Sequence, residues 1–173
     1  MRHGRTENRS IRRALQGGVA IFAAAVLFAG CGQGAKPANL EGSCEDILAA
    51  VYENADIDAE TRESIQGYET IAIDDSWEVQ FLGTDEVDYT DAVCSVPAIN
   101  VIPYQCVVLR VEDADEIEEA KQTLAANADP RKWICVEAES VVIENVGDVI
   151  LFVMADAGTA DALKAAFLAL GAS

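Results

Sequence analysis

The chain has 173 residues, with 30 acidic against 12 basic side chains, a net charge of −18 and 6% aromatic residues. So acidic a surface excludes a nucleic-acid partner, which needs a basic one. The single histidine, His3, stands at the extreme N-terminus, so the rest of the chain can build neither a histidine-dependent nucleophilic site nor a zinc site with histidine ligands.

Residues 1–13 carry Arg2, Arg5, Arg9, Arg12 and Arg13 against one acid, Glu7, and residues 14–28 are uncharged and mostly apolar. A basic head, an apolar stretch and small residues before a cleavage point make a secretory signal. The apolar stretch falls short of the roughly 20 residues that span a bilayer as a helix. Ala29-Gly30 directly before Cys31 resembles the bacterial lipoprotein signal, the lipobox. The resemblance implies a diacylglyceryl thioether on the Cys31 sulfur, palmitate-type acylation and cleavage after Gly30. The expected organisation is a signal peptide over 1–30, a Gly-, Ala- and Pro-containing tether over 31–42, and one domain over 43–173. Without the leader's five arginines and one glutamate, 7 basic and 29 acidic residues remain, a charge of about −22. Anionic headgroups repel such a domain, so the lipid on Cys31 is the expected contact with the membrane, on its outer, extracytoplasmic face.

Within the domain, Ser43 ahead of Glu45 and Asp46 predicts a helix cap with acids in the first turn. Cys44, Ile47, Leu48 and Val51 then share one face, which predicts an amphipathic helix over 44–53. A second helix over 58–65 ends at Gly67. Asn54, Asp56 and Asp58 alternate as calcium-loop ligands would, but Ala59 stands where such a loop needs glycine and Ile65 where it needs glutamate. Two helix ends around a solvated loop explain them better. Residues 70–73 and 77–82 read as short strands, with Gly83 as a stop. Asp85, Glu86, Asp88 and Asp91 mark an acidic loop. Residues 92–103 are the most apolar non-periodic stretch, interrupted by Pro97 and Pro103. They predict a packed connection or broken strand; the alternative is an exposed apolar rim for a ligand or partner.

Residues 105–111, Gln-Cys-Val-Val-Leu-Arg-Val, form the best strand pattern in the chain. A helix follows, with Asp113 and Glu116 as capping pair and Ile117, Ala120, Leu124 and Ala125 as its apolar stripe. Arg131 and Lys132, just past Pro130, complement the negative end of that helix. Residues 133–136 read as a short extended piece. Residues 140–144 and 149–154 are strands joined through Asn145-Val146-Gly147-Asp148, a hairpin signal. Thr159 is the expected cap of a last helix with Leu163, Ala166, Phe167 and Leu170 inward, and Gly171 ends it. The elements add up to an α+β fold: a small, largely antiparallel sheet with helices packed on one face, a two-layer sandwich.

Residues 92–111 (AVCSVPAINVIPYQCVVLRV) and 129–154 (DPRKWICVEAESVVIENVGDVILFVM) resemble a family of Gram-positive lipoproteins known as a domain of unknown function. The resemblance implies extracytoplasmic location and an α+β domain, and implies no reaction.

Four cysteines remain once Cys31 is committed to lipid: Cys44, Cys94, Cys106 and Cys135. An export compartment favours disulfides, and four thiols allow three complete pairings. The expected bridge is Cys94–Cys135, in the less regular segments flanking the 105–111 strand. Its loop of about 40 residues would stabilise by roughly 3–4 kcal/mol. No paired C-x-x-C, phosphate loop or metal-loop pattern is present, so no cofactor or metal is expected. Carboxylate pairs abound, but 29 acids supply some pair anywhere. The reading that follows is a non-enzymatic, membrane-tethered binding or interaction domain for an envelope component or small ligand. The alternatives are a histidine-free carboxylate hydrolase of cell-wall glycans, recognised by two facing carboxylates in a deep cleft, and an accessory subunit of an envelope transporter.

Overall fold

The structure is a computed structural model that describes residues 39–172. The expectations for the leader, for Cys31 and for most of the tether lie outside the described residues. Helix α1 (Cys44–Asn54) begins with a capping box in which the Ser43 and Asp46 side chains each bond the other's backbone N–H. Helix α2 (Ala59–Gln66) is capped by Asp58, which accepts from the N–H groups of Glu60 and Thr61, so this carboxylate is occupied as a cap. Strand β1 (Glu69–Ala72) follows, then the four-residue helix α3 (Glu78–Phe81). Next come β2 (Tyr89–Val96), β3 (Gln105–Val111), a 3-10 turn over Ala114–Glu116, α4 (Ile117–Asn127), the hairpin β4 (Ser140–Val146) and β5 (Val149–Ala155), and α5 (Ala157–Leu170).

The five strands lie in the order β1-β2-β3-β5-β4, every neighbouring pair antiparallel. This is the α+β antiparallel sheet expected, with β3 at its centre. Helices, however, cover both faces rather than one. On one face α1, α2 and α5 pack on Val93, Cys106, Val108, Leu151 and Val153. On the other, α3, α4 and two loops pack on Cys94, Val107, Leu109, Ile150 and Phe152. Alternate residues of β3 and β5 therefore enter opposite cores, which is why both strands are apolar almost throughout.

Four local expectations also change. Residues 77–82 alternate apolar and polar, yet they form a helical turn. Trp77 and Phe81, four apart, stack at 5.4 Å and face inward, while Val79 is 65% exposed. The 92–103 stretch divides at Pro97: residues up to Val96 belong to β2, and those beyond form a loop in which Ile99, Val101 and Ile102 are exposed. In the 133–136 stretch, residues 133–135 are bends and none is a strand. Helix α5 is capped by Asp156, which accepts from the Thr159 N–H at 2.9 Å, so Thr159 is the receiving end of the cap.

Residues 39–42, expected as tether, lie against the domain. One terminal nitrogen of the Arg110 guanidinium donates to the Leu40 and Gly42 carbonyls at 2.9 and 3.0 Å, and the other to both carboxylate oxygens of Asp148 at 2.7 and 2.8 Å. Gly147, at φ 57°, lies so close to Asn39 that a Cβ there would sit 2.5 Å from its side-chain oxygen. Residues 39–42 thus lie at the hairpin end of the sheet.

Candidate functional site

At the opposite end of the sheet, where β3 begins and β2 and β5 finish, a groove of about 720 Å³ opens on the α3–α4 side. Its floor is Ile71, Val96, Phe152 and Met154, from three strands of the sheet. Helix α3 supplies one wall through Trp77, Phe81 and Val79. The loops over residues 97–100 and 128–133 supply the other, through Ile99, Asn100, Lys132 and Trp133. These two loops are pinned together by the Ile134 N–H donating to the Asn100 carbonyl at 3.1 Å. Gly83, at φ 80°, turns the chain under this wall; a Cβ there would meet the Asn127 carbonyl at 2.3 Å, so α3 and the end of α4 approach as only glycine allows. Both tryptophans of the chain line the groove.

Lys132 is the only basic side chain in this lining. Its Nζ donates to the Gln80 carbonyl at 2.8 Å and to the Oε1 of Gln105. It also sits 5.7 and 5.6 Å from the ring centroids of Phe81 and Trp133. Gln105, fully buried at the start of β3, returns a bond from its Nε2 to the Phe81 carbonyl at 2.9 Å. A buried glutamine and a half-buried lysine therefore tie the end of α3 to the sheet. Burial lowers the pKa of Lys132, and Asp129 pulls it back only in part. Lys132 was expected to serve the end of α4, but it serves α3 instead; no basic residue lies in the last turn of α4.

The rim of the groove is apolar. Ile99 and Ile134 are each 60% exposed beside the exposed Val79, Val101 and Val136. Of the two readings of the 92–103 stretch, burial holds up to Val96 and an exposed rim holds beyond Pro97.

The cysteines sit apart from any reactive arrangement. Cys94 is fully buried in β2 on the groove face, and Cys135 is exposed on the loop after Trp133 at φ 60°. The expected bridge between them is not formed here: one sulfur is enclosed by the core and the other faces solvent, and all four described thiols are free. Burial pushes the Cys44 and Cys106 thiols up to about 12, and that of Cys94 well above its usual value. None of these three is a thiolate at neutral pH.

Three carboxylates with lowered pKa values accept hydrogen bonds at helix caps and a turn. Asp46, Asp58 and Asp74 are held below the usual range, by the Ser43 hydroxyl, by the Thr61 N–H and by the Ser76 hydroxyl respectively. None of them lines the groove, whose acids are Glu69 and Asp129. A second hollow of about 350 Å³ beside α2 contains Asp58 and Asp156, whose oxygens already cap α2 and α5. Among the described residues no group of side chains is arranged to hold a metal ion, and no helix is long and apolar enough to cross a membrane.

No protein-family model matches this chain, and comparison with curated proteins and with solved structures returns no match.

Proposed function

We propose that this protein is a lipid-anchored extracytoplasmic domain that binds a small ligand in the groove without transforming it. The observation that carries the binding reading is the groove itself. A concave volume of about 720 Å³, with apolar side chains and polar groups sharing its lining about equally, falls in the small-molecule range of roughly 300–1,000 Å³. A protein partner would ask instead for a broad surface burying about 800 Å² on each side. The anchor rests on the lipobox-like Leu27-Phe28-Ala29-Gly30-Cys31 and its basic and apolar leader. Residues 39–42 meet the fold at the hairpin end. The groove lies at the other end of β3, about 20 Å away by strand rise. The groove therefore lies at the end of the sheet remote from residues 39–42.

Two measurements test the reading. Cys31→Ala should move the protein from the membrane to the soluble fraction; equal membrane partition of variant and wild type would refute the anchor. Trp77→Ala should weaken binding of an apolar fluorescent probe such as anilinonaphthalene sulfonate at least fivefold, with the fold retained by circular dichroism. Unchanged probe binding would refute the groove as the site.

A further inference from the structure

We infer that the groove is selective for a small apolar monocarboxylate whose charged end is received by Lys132. This rests on the groove being a ligand site, as proposed above, and adds the chemistry of what enters.

The hydrogen-bond acceptors of the Lys132 ammonium, the Gln80 carbonyl and Gln105 Oε1, are both neutral, and it forms no ion pair among the described residues. Among the described residues Arg110 holds Asp148, Lys121 reaches Glu118 and Lys164 reaches Glu144, whereas Arg62, like Lys132, donates to neutral carbonyls, those of Tyr52 and Ala55, away from the groove. In a domain with about four acids for every base, a half-buried ammonium without a carboxylate against it is an unusual expense. It is placed where a ligand would find it, on the wall of the groove between the faces of Phe81 and Trp133.

The same contacts limit the ligand's charge and shape. Two of the three ammonium N–H donors are committed, so one is left for a single anionic oxygen. Glu69 and Asp129 lie on the same lining and repel a second negative charge, which disfavours phosphomonoesters and dicarboxylates. Beyond Lys132 the walls carry Trp77, Phe81 and Ile99 over a floor of Phe152 and Met154, which suits a ring or an alkyl chain. A ligand ammonium would find the aromatic faces of Phe81 and Trp133 already occupied by Lys132, and like charge against it. A bound carboxylate, by contrast, favours the charged form that burial penalises.

The test uses three probes of one shape: phenylbutyrate, phenylbutanol and phenylbutylamine. Each is titrated into the full-length protein in nanodiscs, and emission from Trp77 and Trp133 is followed. The expected order is carboxylate tightest, the alcohol about tenfold weaker and the amine weakest. Lys132→Met should bring the carboxylate and the alcohol to equal affinity, whereas Lys132→Arg should keep the preference. Because the readout is a ratio between two probes on one protein, a general loosening of the wall in Lys132→Met cancels. A preference that survives Lys132→Met, or equal binding of alcohol and carboxylate to the wild type, would overturn the role of Lys132 and leave the groove reading standing. Tightest binding of the amine would overturn it in favour of a cation site. Failure of all three probes to bind would overturn both readings.

Discussion

The two faces of the sheet are built from the same strands and yet end up differently filled. On one face, α1 and α5, of eleven and fourteen residues, lie along the sheet and close over it. There Leu163, Phe167 and Val51 are fully enclosed, and the Tyr52 and Tyr104 hydroxyls bond each other at 2.8 Å. On the other face, α4 covers part of the sheet, and the remaining cover is a four-residue helix and two loops. Such short pieces cannot bury a continuous stripe, and where they fall short the groove opens. Long amphipathic helices on an antiparallel sheet make a closed core; short cover makes a site.

The largest effect that would sharpen this contrast is on the closed face. Phe167→Ala removes a fully buried ring and should cost about 3–5 kcal/mol in chemical denaturation. Probe affinity of the folded fraction should be unchanged. A loss of affinity as large as the loss of stability would mean that the two faces are not independent.

A middle effect is expected at the hairpin end. Arg110→Met leaves the mostly buried Asp148 without its charged partner and frees the Leu40 and Gly42 carbonyls, at a cost of about 2 kcal/mol. Protease cleavage near residues 39–42 should accelerate, with groove binding retained. Unaltered cleavage would show that the guanidinium does not hold this segment.

The smallest effect is electrostatic and lies in the capped helices of the closed face. Asp46 and Asp58 have folded pKa values below the ordinary 3.8, so what they contribute is present above that pH. It is lost as pH falls below 3.8 through the folded values. Asp58→Asn should therefore lower Tm slightly at neutral pH and make no difference in strong acid, where both proteins carry an uncharged cap. An equal difference at both pH values would assign the cap's contribution to hydrogen-bond geometry alone.

What the sequence determined by itself is local. Residues 105–111 are a strand in pattern and in fact, because every side chain there suits a pleated, enclosed surface. Ser43, Gly67, Gly147 and Gly171 punctuate the chain where expected, since caps and left-handed turns depend on the residue and its nearest neighbours. The expectation of helices on one face did not draw on Val149–Ala155, whose unbroken apolar pattern belongs to a strand enclosed on both sides. Tertiary structure alone decided the rest. Residues 77–82 satisfy both a period of two and a spacing of four, and Phe81 and Leu82 packing on the sheet, with Gln105 holding the Phe81 carbonyl, selects the helix. Lys132 is a charge beside a helix end in sequence. Only the meeting of β3, α3 and the 128–133 loop, residues far apart along the chain, makes it the cation of a groove. Periodicity carries which face a residue takes, but it holds no information about which distant segment will cover that face, or leave it open.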